Sequence, residues 1–357
     1  MMKYFVIIVT FFALDALSKP SYLLINASTG EKIIAENSDE KRFPASLTKM
    51  MTLYITFEKL KDGTLKLTDE VPMSSKACRL PPSKLHLRPG TKLTVEEAIQ
   101  ALAVKSANDV ALALAERIGG SEYEFAAMMN EKAEALGMND TVFYNPSGLP
   151  HRKQVSTAED MAKLAQAHLN HHPEFYYFFS SRHFSFRGKR YKNHNTLLGK
   201  IDGVDGLKTG YTPAAGWNLV ASQKIGSERI IGVVMGEYSQ PRRNYMMTTL
   251  LNKQVPTQAQ ILEAERKVSK KRHRARMALS NWTVQTGTFR NRAQANKFIS
   301  DLKKKHTSVV SSALNIVRRK RKQYTTQVGQ FKSKKEAETM CATLKEKSLT
   351  CLVVKTK

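Results

Sequence analysis

The sequence predicts a two-module α+β protein, in which a larger module is followed by a smaller, repeated one. Three observations support this prediction. Strand patterns from both ends of the first 252 residues flank a block of amphipathic helices. A strand–turn–helix pattern recurs near the end of the chain, and positive charge is concentrated in that same region. The length of 357 residues fits two domains, at roughly 100–200 residues each.

Composition and charge limit the classes of protein to which this chain can belong. Hydrophobic residues make up 41% of the chain and charged residues 25%, which supports a packed core and excludes global disorder. Residues 253–357 contribute +20 of the net charge of +26, from 26 Lys and Arg against 6 Asp and Glu. This asymmetry predicts that the second module faces a polyanion, which is nucleic acid, acidic lipid or an acidic wall polymer.

The first 18 residues predict a secretory signal peptide. A positive charge at Lys3 precedes an apolar run at residues 4–14, and residues 16–18 form a small-x-small cleavage site. We expect export with cleavage after Ser18. An uncleaved signal would act as a membrane tether, and a buried first helix is the alternative interpretation.

The larger module, residues 19–252, carries strand patterns at both ends and helix patterns between them. This order implies an α+β or three-layer arrangement. The expected elements are strands at 22–26 and 32–35, a helix from residue 44 to about 60, helices within 95–115, 122–136 and 157–168, strands at 217–222 and 229–235, and a closing helix at 244–251.

The last 80 residues contain an internal repeat with an offset of 42 residues. We expect a β-α-β-β-α-β domain at residues 278–357, with a four-stranded antiparallel sheet, both helices on one face and the other face free to bind. Residues 253–277 predict a basic linker, and residues 318–322 predict a solvated basic loop that attracts anionic wall polymer or lipid. The repeated pairs are Trp282/Tyr324, Gln285/Gln327, Gly287/Gly329, Phe289/Phe331 and Ala295/Ala337.

The cysteines and histidines indicate no metal site, and no cofactor is expected. Three cysteines are too few for a disulfide framework, and no Cys-x-x-Cys occurs. Cys341 and Cys351 either pair in an oxidising compartment or remain buried thiols. His168, His171 and His172 lack a carboxylate that would complete a zinc site, so we interpret them as a solvated helix end.

Ser46-Leu47-Thr48-Lys49 is a Ser-x-x-Lys motif at a predicted helix start. Residues i and i+3 share one helix face, so Lys49 can reach the Ser46 hydroxyl and, if neutral, can take its proton. Alone this motif is a weak indication, because Ser38/Lys41 and Ser300/Lys303 also match it. We interpret those two matches as surface coincidences.

Two further short motifs follow at intervals of 60 and 102 residues. Ser106-Ala107-Asn108 places a hydroxyl and an amide on one turn, where they can relay a proton and hold a carbonyl. Lys208-Thr209-Gly210 supplies a cation and a hydroxyl for a carboxylate, and its glycine permits a close backbone approach. Taken singly, they fit an interhelical hydrogen-bonding pair and an ordinary hairpin strand. In this order, the three motifs are a specific combination.

The three motifs, together with residues 22–30, 145–150 and 204–212, resemble the D-alanyl-D-alanine carboxypeptidases, which are low-molecular-mass penicillin-binding proteins. The resemblance covers about residues 20–252. It implies a β-lactamase/transpeptidase-like fold, with an antiparallel sheet, helices on both sides and a helical block. The repeat at 278–357 resembles a SPOR domain, a family that binds peptidoglycan glycan strands stripped of peptide. Together they imply a periplasmic serine peptidase that removes the terminal D-alanine from stem pentapeptides and that β-lactams inhibit covalently.

The resemblance also implies a role for each site residue. Ser46 would attack the carbonyl between the two D-alanines, with Lys49 as its base. Lys49 would be neutral because of burial and the like charge of Lys208. Ser106 would pass a proton to the departing D-alanine, and Asn108 would hold the substrate amide. The implied substrate-binding residues are Lys208 and Thr209 for the terminal carboxylate, Gly210, Tyr211 with Ser46 for the oxyanion hole, and Arg243 near the carboxylate.

Two other functions remain as alternatives. A β-lactamase of the same fold needs a glutamate to activate the deacylating water, and residues 140–150, where its loop would fall, contain none. A nucleic-acid-binding protein would suit the charge of +20 and the repeat topology, but export and the Gln-x-Gly-x-Phe turns argue against it. We therefore expect peptidoglycan partners and no nucleic acid, with a peripheral contact to anionic membrane left open.

Overall fold

The chain forms two compact units that divide between Glu265 and Arg266. The predicted signal peptide lies outside the described residues, as does most of the predicted linker, so the domain limits given above stay predictions. No helix among the described residues is long and apolar enough to span a bilayer. The computed structural model describes residues 19–254, residues 260, 263, 266, 269 and 270, and residues 282–305, 315–320, 323–331 and 333–355.

The first unit is built on a five-stranded antiparallel sheet with two small two-stranded sheets beside it, of which β5–β6 is a hairpin. Its strands are β1 (Ser21–Asn26), β2 (Lys32–Glu36), β3 (Glu70–Pro72), β4 (Lys92–Thr94), β5 (His183–Phe186), β6 (Lys189–Lys192), β7 (Val204–Thr212), β8 (Gly216–Ile225) and β9 (Glu228–Glu237). The large sheet has the order β2-β1-β9-β8-β7. Because β1 pairs with β9, strands from both ends of the unit meet inside the sheet, as predicted.

Helices cover both faces of this sheet. They are α1 (Lys49–Lys61), α2 (Ser75–Arg79), α3 (Val95–Gln100), α4 (Asn108–Gly119), α5 (Glu122–Ala135), α6 (Ala158–His171), α7 (Tyr177–Ser180) and α8 (Gln240–Leu251). Side chains alternate between the two faces of a strand. Leu23 and Ile25 therefore join the core of the helical block, whereas Tyr22 and Leu24 pack against α8. The predicted three-layer arrangement is confirmed.

The stretch at 95–115, which was predicted to be helical, is interrupted at Ser106. Thr94 and Glu97 form a capping box that starts α3, which continues as a π-helical turn at Ala101–Lys105. Ser106 then takes a left-handed conformation, and α4 begins at Asn108. The two small sheets and the short helices α2 and α7 were not predicted, because segments of three to five residues carry too little periodicity.

The second unit has the predicted β-α-β-β-α-β order. Its elements are β10 (Trp282–Phe289), α9 (Arg292–Lys305), β11 (Asn315–Lys320), β12 (Gln323–Phe331), α10 (Lys334–Glu346) and β13 (Leu352–Lys355), and the sheet has the order β11-β12-β10-β13. Val284 and Val328 face each other across β10 and β12 and pack against α10 and α9 respectively. Both helices thus cover one face. The predicted loop at 318–322 is wrong for residues 318–320, which belong to β11.

Cys341 and Cys351, left open above, form a disulfide with a Cα–Cα separation of 5.7 Å. It joins α10 to the segment that enters β13. Cys78, in the first unit, is a half-buried free thiol.

The turn that carries Ser46 is held between two glycines. It is a 3-10 turn at Ala45–Thr48 that leads directly into α1. A Cβ on Gly148 would overlap the carbonyl oxygen of Ala45, and a Cβ on Gly210 would lie 3.1 Å from the nitrogen of Ser46. Gly148 also has φ of +81°, where a side chain strains the backbone. Glycine at both positions lets the neighbouring segments close on this turn.

We expect Gly148→Ala to lower the free energy of unfolding far more than a left-handed alanine does elsewhere. The matched control is Gly90→Ala, where φ is +80° and a Cβ meets nothing within 4 Å. The control isolates backbone strain, on the order of 1–3 kcal/mol. Gly148→Ala adds the overlap with Ala45 and should cost at least about 2 kcal/mol more. Urea unfolding of both variants measures this, and equal losses would contradict the close approach.

Candidate active site

The three sequence motifs meet at one cavity of about 550 Å³. Lys49 and Lys208 lie buried beneath the cavity wall, in contact with two of the lining hydroxyls. The structure thus brings together all nine residues that the sequence singled out. The seven that line the cavity are Ser46, Ser106, Asn108, Thr209, Gly210, Tyr211 and Arg243.

Lys49 lies directly beneath Ser46. The turn at Ala45–Thr48 ends where α1 begins, so positions i and i+3 place both side chains on one face, and Lys49 Nζ is 3.0 Å from Ser46 Oγ. Lys49 also donates to Asn108 Oδ1 at 2.7 Å and to the carbonyl oxygen of Ser147. A neutral amine has two N–H donors and one lone pair. The two acceptors occupy both donors and leave the lone pair for the Ser46 proton.

Burial lowers the pKa of Lys49 well below its usual value, and the positive charge of Lys208 lowers it further. The carboxylate of Asp109 acts in the opposite direction and is the smaller influence. Lys49 is 0% exposed, and no carboxylate among the described residues forms a salt bridge with it. Burial without a charged partner favours the neutral amine, which is the form that can act as a base.

Ser106 stands where the helix is interrupted. Its φ of +59° is unusual for a residue other than glycine and puts its hydroxyl on the cavity wall. Lys208 Nζ, from β7, donates to Ser106 Oγ at 3.0 Å and to the carbonyl oxygen of Thr209 at 3.0 Å. Ser46 and Ser106 therefore each have one buried amine within hydrogen-bonding distance.

Lys208 and Arg243 form the cationic side of the cavity. Burial, and then the charge of Arg243, lower the pKa of Lys208 to about 7. Arg243 is 2% exposed, and its guanidinium donates twice to Asn244 Oδ1, at 2.7 and 3.1 Å. Asn244 in turn donates to Thr196 Oγ1 at 2.8 Å. Since its described partners are neutral, Arg243 keeps a positive charge available at the cavity.

Asn108 lines the cavity and also holds neighbouring parts of the protein. Its Oδ1 accepts from Lys49, and one N–H of its Nδ2 donates to the carbonyl oxygen of Pro81 at 3.0 Å. The amide nitrogen has a second N–H, so the expected role of Asn108 in holding the substrate amide stays a prediction. In this structure Asn108 positions Lys49 and the segment that carries Pro82 and Ser83, which also line the cavity.

Several residues that support the cavity from behind its lining were not found by sequence reasoning. No sequence feature pointed to Asn244 apart from its position directly after Arg243. Asp109 accepts from the backbone nitrogens of Leu85 and His86 and so holds the segment above the cavity. Ser147 lies in the 145–150 segment, where Asn145 Oδ1 accepts three successive backbone N–H groups. That segment was noted as a match to a family, but its contact with Lys49 could not be derived from its composition.

The expectation of a solvated helix end is wrong for His168 and His172 and fits only His171, which is exposed at the end of α6. His168 and His172 are 1% and 3% exposed and stack edge-on around Tyr54. Burial lowers the pKa of His172 to about 4, so the ring is neutral near pH 7. Within the described ranges, no group of three His, Cys, Asp or Glu side chains is placed to hold a metal ion.

Comparison with known sequences gives two matches to protein families. A D-alanyl-D-alanine carboxypeptidase family matches residues 10–239, and the SPOR domain family matches residues 278–355. The chain is 38% identical to the D-alanyl-D-alanine carboxypeptidase DacF of Bacillus subtilis, over 65% of this chain and 61% of that protein. It is 39% identical to DacA of Escherichia coli, over 60% of this chain and 55% of that protein. The chain thus spans about three fifths of the length of these relatives.

Two solved structures resemble the first unit. Penicillin-binding protein 6B from Escherichia coli matches with a TM-score of 0.63 and 37% identity, over 65% of this chain and 76% of that chain. Penicillin-binding protein D2 from Listeria monocytogenes, in its ampicillin-bound form, matches with a TM-score of 0.61 and 28% identity. That match covers 65% of this chain and 95% of that chain.

The rate constant for covalent labelling of the chain by a fluorescent penicillin should depend on pH with a maximum. As pH falls through the lowered pKa of Lys49, the amine becomes protonated and can no longer take the Ser46 proton. As pH rises through about 7, Lys208 loses the charge that attracts a carboxylate. Labelling rates across pH measure both limbs.

Lys208→Arg keeps a cation at all accessible pH values, so we expect the alkaline limb to move to higher pH. Lys66→Gln, at an exposed lysine, is the control and should leave both limbs in place. If the alkaline limb of the labelling rate does not move in Lys208→Arg, a group other than Lys208 determines it.

Proposed function

Because the chain belongs to the D-alanyl-D-alanine carboxypeptidase family, we propose that it is a serine-type carboxypeptidase that removes the terminal D-alanine from peptidoglycan stem pentapeptides. One observation carries this proposal. Two hydroxyls on one cavity, Ser46 and Ser106, each lie 3.0 Å from a buried amine whose pKa is lowered. This arrangement supplies a base for a nucleophile and a donor for a leaving group in the same space.

In the first step, Ser46 Oγ attacks the carbonyl carbon between the two D-alanines, and Lys49 takes its proton. The contacts of Lys49 with Asn108 and Ser147 orient the lone pair towards Ser46. We assign the oxyanion hole to the backbone N–H groups of Ser46 and Tyr211. Each such donor contributes on the order of 3 kcal/mol to stabilising the transition state.

In the second step, the carbon–nitrogen bond breaks and the terminal D-alanine leaves. Ser106 donates its hydroxyl proton to the departing nitrogen, and Lys208, which donates to the same oxygen, replaces that proton. An ester on Ser46 remains. Water then attacks this ester: its oxygen bonds to the carbonyl carbon, the bond to Ser46 Oγ breaks, and a water proton restores the Ser46 hydroxyl as the shortened peptide leaves. The proton that Lys49 took is released to solvent, and Lys208 regains one from solvent, so both amines return to their starting states.

The cationic side of the cavity gives the enzyme its preference for a chain end. Lys208, Thr209 and Arg243 lie together and suit a terminal carboxylate. Gly210 packs close to the Ser46 turn and leaves room for a peptide backbone beside β7. A substrate that lacks the free carboxylate would leave these cations without a partner, which explains cleavage at the end of a peptide.

The β-lactamase alternative fits the cavity less well. Among the described residues that line the cavity, none is Asp or Glu. An ester formed with a β-lactam therefore has no carboxylate beside it to activate water. We propose that β-lactams acylate Ser46 and are released slowly, as inhibitors.

We propose that the second unit binds glycan strands and directs the enzyme to the cell wall, outside the cytoplasm. Gln285 and Gln327 face each other across β10 and β12, next to Val284 and Val328. Since the valines face the helices and neighbours alternate, the two glutamines lie on the face without helices. Gln285 is half-buried and Gln327 is 8% exposed, and their amide groups suit the hydroxyl and acetamido groups of a glycan.

Ser46→Ala should abolish covalent labelling by a fluorescent penicillin, because no nucleophile remains. Ser300→Ala is the matched control, since Ser300 also begins a Ser-x-x-Lys match but lies exposed on α9. Mass spectrometry should find the adduct on Ser46 in the wild type and in the control. An adduct elsewhere, or rapid turnover of a chromogenic cephalosporin without a trapped ester, would overturn the assignment.

Gln285→Ala combined with Gln327→Ala should weaken cosedimentation of the full chain with peptidoglycan stripped of its peptides. Penicillin labelling should stay unchanged, because these residues belong to the second unit. The control is Gln294→Ala, an exposed amide on α9. Equal cosedimentation of all three proteins would exclude the helix-free face as the glycan site.

A further inference from the structure

The hairpin β5–β6 is a concentrated patch of positive charge beside the cavity. Between Glu174 and Asp202 the sequence contains six Lys and Arg residues and no Asp or Glu. Five of the six lie in the hairpin or at its ends, and all five side chains are exposed. They are Arg182, Arg187, Lys189, Arg190 and Lys192.

The hairpin register separates an apolar face from a charged one. Phe184 lies opposite Tyr191, and Phe184 and Phe186 are buried in the core of the first unit. On the other face, His183 lies opposite Lys192, and Ser185 lies opposite Arg190. The apolar residues thus anchor the hairpin on a rigid support, and the charged face points to solvent.

These cations have no acidic partner in the described ranges of the chain. No salt bridge there involves Arg182, Arg187, Lys189, Arg190 or Lys192. Other surface lysines and arginines of the first unit do form salt bridges with carboxylates. Like charges placed side by side repel one another. A patch of this kind is stabilised when an anionic ligand covers it.

The charged face is continuous with the catalytic cavity. Lys192 ends β6 and lines the cavity, as do Asn193 and His194 immediately after it. Lys105, which precedes Ser106, adds a further cation, with its Nζ 5.9 Å from the ring of Tyr191. A peptide whose end reaches Ser46 can therefore extend along this hairpin.

We propose that the β5–β6 hairpin is a binding site for carboxylates that lie upstream of the cleaved bond, so that the enzyme selects acidic peptide chains over neutral ones. This proposal rests on the proposed function, because the same peptide must reach Ser46. It adds a second contact with substrate, outside the catalytic cavity. Continuity with the cavity favours an acidic peptide as the occupant over a lipid surface.

The test compares two labelled peptides that end in D-Ala-D-Ala. One carries two free carboxylates upstream of the cleaved bond, and the other carries the two corresponding amides. Binding is measured by fluorescence anisotropy on the full chain in a Ser46→Ala background, so the result does not depend on turnover. We expect the acidic peptide to bind more tightly at about 25 mM salt, and the difference to shrink at about 500 mM salt.

Arg187→Gln with Arg190→Gln, added to this background, should weaken binding of the acidic peptide about three- to tenfold and leave the amide peptide unchanged. Lys66→Gln with Lys224→Gln is the control, because it removes the same charge from exposed positions away from the hairpin. If both double variants weaken binding of the acidic peptide equally, net charge alone explains the effect and the proposal is wrong. Equal binding of the two peptides by the background protein would also overturn it.

Two further measurements separate the outcomes. Penicillin labelling of the Arg187→Gln/Arg190→Gln chain with Ser46 intact should match that of the wild type. If the wild type itself is not labelled, the proposed function fails, but the peptide comparison still tests the hairpin. Binding to vesicles of phosphatidylglycerol tests the lipid alternative. If the hairpin variant loses vesicle binding and keeps its peptide preference, the hairpin is a lipid site and the proposal is wrong.

Discussion

The site depends on keeping two lysine side chains buried without carboxylate partners. Lys49 and Lys208 are each at most 1% exposed, and the positive charge of Lys208 acts on Lys49. An ammonium group buried at Lys49 in this way costs several kcal/mol, so Lys49 releases its proton, whereas the pKa of Lys208 is lowered only to about 7. The protein thereby obtains a base at neutral pH from a residue that is normally a cation. A carboxylate placed beside Lys49 would restore the charge and remove the base.

The surrounding fold supplies neutral acceptors in place of carboxylates. An amide oxygen and a backbone carbonyl accept from Lys49, and a hydroxyl and a carbonyl accept from Lys208. Arg243 follows the same rule, since it bonds to the amide of Asn244. Asp109 is the nearby exception, and its carboxylate is engaged by backbone N–H groups. The charge that the cavity presents is consequently left for the substrate.

Much of this architecture could be predicted from local patterns. The strands inside the large sheet carry apolar runs, the repeat offset of 42 residues indicated the second unit, and the three motifs contained seven residues that line the cavity or contact its hydroxyls. The two small sheets and the left-handed Ser106 could not be predicted, because tertiary contacts determine them. The bonds of Asn108 also depend on a distant segment, which no spacing rule connects to it. For His168 and His172, polarity suggested exposure, whereas packing around Tyr54 buried them.

The pairing of β1 with β9 has a consequence for how the first unit folds. Residues 21–26 can pair within the sheet only after residues 230–235 have been synthesised. Strand β7, which lies against the Ser46 turn, joins the sheet through β8. Contacts this far apart in sequence form slowly, since a long loop must be closed first. During synthesis, the Ser46 turn therefore lacks part of its surroundings until nearly the whole unit has emerged from the ribosome. Chains that stop short of β9 lack the strand that joins β8 to β1, so the cavity can form only with the complete unit.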